Sequence, residues 1–251
     1  MKVEAFGTTD VGKVRDHNED SFVVRVVGDA PMGANALLIV ADGMGGHAAG
    51  EVASRMAIEN FVTACDAATS DADELGDDDY LDLLSDLLKR VNGLVWEAGQ
   101  VPGQIGMGTT FTGMVIRRER LFVIHVGDSR GYLFTEGVLR QITTDHSLVE
   151  EWVQLGILTT EEARVHPNRN VITRAVGLDP EVSVDQAVVD IKSGDRLLLC
   201  TDGLNSLVLD SEIESIVSNG ELEETAQSLI DTANHCGGDD NTTIILASLA
   251  F

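Results

Sequence analysis

Three apolar, β-rich runs at 109–117, 120–126 and 130–134 follow one another through connections only a few residues long. A parallel crossover needs a helix-sized connection of about a dozen residues, so these runs are expected to be antiparallel. Arg117-Arg118-Glu119-Arg120 reads as the hairpin turn of the first pair, and Gly127-Asp128 interrupts the second. Further strands are expected at 21–27, 36–41, 183–190, 195–201 and 242–250, rich in Val, Ile, Leu, Phe and Thr and bounded by Gly or Asp. Helical periodicity is expected at about 48–65, 79–99, 147–155, 159–164, 210–217 and 221–235. The two long N-terminal helices come in succession, with no strand between them. Helices and strands are thus grouped, which is the α+β class: two antiparallel sheets packed together and covered by helices. No Pro-rich or Ser-rich linker divides the chain, so one domain is expected over 1–251. The acidic stretch "DAATSDADELGDDD" (66–79) is expected to cap and solvate a loop between the first two helices.

One pattern recurs along these runs. Leu37-Leu38-Ile39-Val40-Ala41 leads into Asp42-Gly43, Val123–Gly127 into Asp128, and Leu197–Thr201 into Asp202-Gly203. Asp239-Asp240 precedes the strand beginning near Thr242, and Glu19-Asp20 precedes the strand at 21–27. Any one of these is a common turn former. Five such sites at one edge of a sheet pair would crowd carboxylates together, raising each other's pKa unless a cation neutralised them. Oxygen donors with no His or Cys at ligand spacing point to Mg2+ or Mn2+ rather than zinc. The carbonyl of Gly43 can add a ligand, since no side chain blocks close approach.

Charge narrows the function further. The chain carries 42 Asp and Glu against 17 Lys and Arg, a formal net charge of −25. Such a surface repels phosphate backbones and anionic lipid, so neither nucleic acid nor membrane is an expected partner. Met1–Gly7 lacks the apolar stretch of a secretory signal. The three cysteines form no CxxC and read as reduced thiols in a cytoplasmic protein, with Cys200 as strand packing.

Two cationic side chains flank the acidic sites. Arg15, four residues before Glu19, is either a surface charge or a fork for bidentate capture of a phosphoryl group. His47, near a helix start, is either solvated and idle or able to protonate a leaving group. A rival reading takes Gly43–Ala48 as a GxGxxG/A dinucleotide fingerprint with Asp66 as the ribose acid. Against it, Asp42 would face the pyrophosphate, and Asp66 continues a helix rather than ending a second parallel strand.

Eight segments in order resemble the PPM family, the protein phosphatase 2C-like metal-dependent serine/threonine phosphatases, in their compact bacterial form. They are "VRDHNEDSF" (14–22), "ADGMGGHAAGE" (41–51), "GMGTTFTG" (106–113), "VIHVGDSRGYL" (123–133), "TTDHSL" (143–148), "RNVITRAVG" (169–177), "GDRLLLCTDGL" (194–204) and "DDNTTIILA" (239–247). The resemblance implies a four-layer α-β-β-α sandwich with two Mn2+ or Mg2+ ions, and a weaker third, at one end of the sheets. It implies Asp42 as bridging ligand, Gly43 as carbonyl ligand, and Asp202 and Asp240 as ligands of the other ion. Glu19 and Asp20 match acids holding metal-bound waters, and Asp128 with Asp202 the third ion. Arg15 matches the phosphate-binding arginine and His47 the general acid; Gly108, Thr109 and Thr110 look structural, and about 150–175 corresponds to a flap beside the site. The implied reaction is attack of a metal-bridging hydroxide on phosphoserine or phosphothreonine, reversing Ser/Thr kinases, with phosphorylated proteins as partners and a monomer as the working form. A phosphatase dedicated to one phosphorylated regulator and a non-enzymatic metal-dependent interaction module remain as alternatives.

Overall fold

The computed structural model describes residues 1–45, 48–72 and 74–250. Two antiparallel sheets form its centre. One has the order β1 (Lys2–Asp10), β11 (Thr242–Ala250), β10 (Arg196–Cys200), β7 (Arg130–Thr135), β8 (Val138–Gln141). The other runs β2 (Asp20–Val26), β3 (Ala36–Met44), β5 (Phe111–Arg117), β6 (Arg120–Val126), β9 (Asp185–Asp190), with β4 (Gly108–Thr109) paired to the end of β3. Helices α1 (Ala48–Ala72) and α2 (Asp77–Ala98) cover the second sheet. The first is covered by α5 (Asp202–Asn205), α6 (Asp210–Val217) and α7 (Leu222–His235). Between β8 and β9 lie α3 (Leu148–Gln154) and α4 (Thr160–Arg164). The expected four-layer α+β sandwich is the one observed.

Four layers make three apolar interfaces, and the central strands belong to two of them at once. Leu37, Ile39 and Ala41 of β3 pack under α1 and α2, while Ala36, Leu38 and Val40 face the other sheet. In β10, Leu197 and Leu199 face between the sheets, and Leu198 and Cys200 face α5–α7. A strand buried on both faces has no polar side, which is why "ALLIVA" and "LLLC" read as unbroken apolar runs. Burial pushes the Cys200 thiol up, in keeping with packing rather than reactivity.

Some sequence expectations need correction. The N-terminal strand β1 was not expected; it pairs with β11 along nine residues as an edge, and its half-exposed "VEAFGTT" lacks an apolar run. Nor were β8, a four-residue edge, and α5, a single turn. The acidic stretch 66–79 does span the junction of the first two helices, but the break is shorter than expected, because α1 continues through Ala72 and α2 starts at Asp77. The physical reason lies 45 residues away in the sequence. Arg117, at the end of β5, is buried, stacks 4.4 Å above the Tyr80 ring and donates to the carbonyls of Ala72 and Leu75. A cation on the last carbonyls of a helix satisfies groups that otherwise lack partners. The dinucleotide reading fails on topology: β3 has antiparallel neighbours on both sides, and Asp66 sits on α1 paired with Arg25 at 3.0 Å.

Candidate metal centre

Register begins the site. In the β2–β3 pair Asp20 stands opposite Asp42, the point where both strands reach the end of the sandwich. The backbone of Asp42 is clamped by the neighbouring chain: its N–H donates to Thr110 Oγ1 at 2.8 Å, and its carbonyl accepts from Thr110 N–H and Thr109 Oγ1, each at 2.8 Å. Thr110 Oγ1 lies 2.7 Å from Ser129 Oγ, tying this clamp to the loop that carries Asp128. From the other sheet, β10 ends at Cys200, so Thr201 and Asp202 fall at the same end, beside the start of β11 after Asp240. Glu19 is held there too: its N–H donates to Asn241 Oδ1 at 2.8 Å and its carbonyl accepts from Ser54 Oγ at 2.6 Å. A Cβ at Gly43 would collide with the Gly50 carbonyl, so only glycine lets this crossing of β3 and α1 close.

The carboxylates feel one another strongly. Burial, and then the charges of Asp20, Asp202, Asp128 and Asp240, holds Asp42 well above the usual carboxylate range. Burial pushes Asp20 up to about 7, a rise limited by hydroxyl donors from Thr243 and Thr201 and reinforced by Asp202 and Asp240. Asp202 is pushed up to about 6 by burial and Asp240, and a hydrogen bond from Asp42 pulls it back down. Asp128 is also held well above its ordinary value, by burial first and then by Asp202 and Asp145. Burial raises Glu19. At the mouth, Arg15 Nη2 lies 2.7 Å from Asp240 Oδ2, and this hydrogen bond raises the guanidinium further.

The donor set suits a hard cation. Asp20 Oδ1, Asp128 Oδ1 and Asp202 Oδ1 are buried and have no hydrogen-bond partner. Buried carboxylate oxygens without partners are costly, and a divalent cation would both satisfy and neutralise them. Among the described residues no three side chains already stand around one point as a finished ligand cage.

Of the residues singled out in the sequence, Asp20, Asp42, Asp128, Asp202 and Asp240 come together, with Gly43, Glu19 and Arg15 at their edge. His47 lies outside the described residues. The segment expected as a flap holds α4 and most of α3, whose Glu150, Ala163 and Arg164 line a cleft of about 80 Å³ together with Asp128 and Asp202. Sequence reasoning missed the hydroxyl residues Thr201, Thr243 and Ser129 and the role of Asn241. Their signal was faint: each sits within three residues of a strand-end Asp.

The chain matches the family model described as Protein phosphatase 2C over residues 12–242. It is 40% identical over 240 residues to the serine/threonine phosphatase stp of Listeria innocua, covering 95% of this chain and 92% of that one. The crystal structure of the serine/threonine phosphatase Stp1 from Staphylococcus aureus superposes with a TM-score of 0.91 at 34% identity, over 100% of this chain and 96% of the other. A second crystal structure, the catalytic domain of the serine threonine protein phosphatase PstP in complex with two manganese ions, gives a TM-score of 0.84 at 37% identity over 99% of each chain.

Proposed function

Since this chain belongs to the protein phosphatase 2C family and is a serine/threonine phosphoprotein phosphatase, we propose how its residues perform that hydrolysis. Asp42 and the Gly43 carbonyl, with Asp202 and Asp240, would hold two Mn2+ or Mg2+ ions. Glu19 and Asp20 would orient their waters, and Asp128 with Asp202 would take a weaker third ion. The observation that carries this reading is the convergence of buried acids whose Asp20, Asp128 and Asp202 oxygens lack partners. When bound, such a pair of ions acidifies a water toward neutral pH and spreads phosphoryl charge.

The chain's own residues do the rest. A cluster of acids repels a phosphate, and Arg15, half-exposed at the mouth, offsets that by turning its fork from Asp240 to the phosphoryl oxygens. With cations beside them Asp20 and Asp202 would be ionised, because a neighbouring positive charge favours the carboxylate form that burial and the other acids disfavour in the metal-free site. His47 donates the proton that the departing seryl or threonyl oxygen needs. Cys200 is buried on a strand and takes no part, and direct attack of water on phosphorus needs no phosphoenzyme. Residues 150–175 act as a flap within one catalytic domain. The working protein is a cytoplasmic monomer that reverses Ser/Thr kinases; no described helix is long and apolar enough to cross a membrane.

A phosphothreonine peptide tests this. Hydrolysis is expected with Mn2+ and not in excess chelator, and Arg15→Ala should lower kcat/KM about a hundredfold through lost phosphoryl stabilisation. Full activity in chelator would overturn the reading.

A further inference from the structure

Asp20 is gripped from the opposite sheet. Its Oδ2 accepts from Thr201 Oγ1 at 2.8 Å and from Thr243 Oγ1 at 2.6 Å, both buried. Asp20 is on β2, whereas Thr201 follows β10 and Thr243 is on β11, so these bonds cross the sandwich. Its other oxygen, Oδ1, is buried with no partner.

Hydrogen counting makes the arrangement directional. A threonine hydroxyl has one hydrogen and two lone pairs. Thr201 Oγ1 accepts from Thr243 N–H at 2.9 Å, leaving its own hydrogen for Asp20. Thr201 stands at the N-cap of α5, where a threonine oxygen ordinarily accepts from the first helical amides, and it makes no such cap. Thr243 Oγ1 also lies 2.7 Å from Thr9 Oγ1. With the Thr243 hydrogen directed to Asp20, Thr9 must be the donor in that contact. Thr9 Oγ1 in turn accepts from Asn18 Nδ2 at 2.8 Å. Every donor in the series Asn18, Thr9, Thr243 points toward one carboxylate oxygen. An oxygen that accepts two hydroxyl hydrogens carries no proton, so Oδ2 is an anchor and Oδ1 is the free end.

We propose that Thr201 and Thr243, with Thr9 behind Thr243, are positioning residues for divalent-ion binding. Their hydroxyls fix the rotation of Asp20 so that Oδ1 faces the ions or their waters. The inference rests on the reading that this cluster holds hard cations. Outer-shell partners of metal sites typically contribute about 10–100-fold to metal affinity.

Calorimetric titration of the chelator-treated full chain with Mn2+ alone tests it, independently of turnover. Thr201→Val/Thr243→Val, which keeps shape and removes both donors, should weaken Mn2+ binding about 10–100-fold. Thr243→Ser, which keeps the hydroxyl, should bind like the wild type, and Thr9→Val should fall between. In an Asp20→Ala background, Thr243→Val should cost little more, because the hydroxyl acts through Asp20. Wild-type affinity in the folded double valine variant would overturn the proposal, as would equal losses with and without Asp20. If the double variant fails to unfold cooperatively, single valine variants decide on the same criterion. A wild-type chain that binds no Mn2+ would overturn the metal reading itself, a result distinct from valine variants that bind as well as the wild type.

Discussion

Two clusters of buried charge lie side by side at the end of the sandwich, and they are built on opposite principles. In one, Arg130 places Nε 2.9 Å from both oxygens of Asp145 and Nη2 2.7 Å from Oδ2, while Gln141 adds a donor at 2.8 Å. Arg130 Nη1 also reaches Tyr132 Oη at 3.2 Å and Asp210 at 3.6 Å. Each of its charges has an internal counterpart. Two residues away, Asp128 Oδ1 has no partner, and neither do the free oxygens of Asp20 and Asp202. The first cluster is closed by the fold alone; the second is closed only by a cation from outside. Buried polar groups without partners in an otherwise well-satisfied structure mark the place where a ligand belongs.

Substitutions in the two clusters should therefore have opposite signs on the metal-free protein. Asp202→Asn is expected to cut phosphothreonine hydrolysis about a thousandfold or more by removing a ligand oxygen. In chelator the same variant should be the more stable one, its melting midpoint rising by roughly 2–4 °C per kcal/mol of carboxylate repulsion removed. A lower midpoint for Asp202→Asn in chelator would break the contrast. Arg130→Met should do the reverse: it leaves Asp145 buried without its cation and should destabilise the fold by about 3–5 kcal/mol in urea unfolding, with or without Mn2+.

A smaller effect is written in the pH dependence. Asp20 and Asp202 are pushed up to about 7 and about 6 from 3.8. Between about pH 4 and 7 the folded metal-free chain holds protons that the unfolded chain has released, so these groups lower stability as pH rises through that window. His125 works the other way. Burial first, and then the stacked His146, pushes it down to about 3, so the unfolded chain gains its proton below about 6.5 and stability rises with pH from 3 to 6.5. Thermal unfolding in chelator from pH 4.5 to 8 separates the two. Asp20→Asn should lose the carboxylate contribution and show a more positive slope than the wild type up to pH 7. Parallel slopes would remove Asp20 from the linked set.

Much of this is legible in the sequence. The antiparallel pairing of 109–117 with 120–126 follows from a two-residue turn, where Arg118 takes φ 54°. The double-sided burial of β3, β10 and β11 follows from their continuous apolar runs. The position of Asp128 and Asp202 just beyond their strands follows from the same runs, whereas β3 runs on past Asp42 to Met44, where β4 pairs with it. Other features had no local signal. The length of α1 depends on Arg117 arriving from β5, and β1 is a strand because β11 offers it nine residues of pairing. The alignment of Asp20 depends on hydroxyls 181 and 223 residues further along the chain.

By itself the sequence determined which chemical groups stand at the ends of which strands, since periodicity and turn chemistry act over a few neighbouring residues. Only the stacking of the two sheets decided which carboxylate oxygens are anchored and which are left bare. A hydrogen bond exists or fails over a few tenths of an ångström, and those distances are set by the packing of residues hundreds of positions apart.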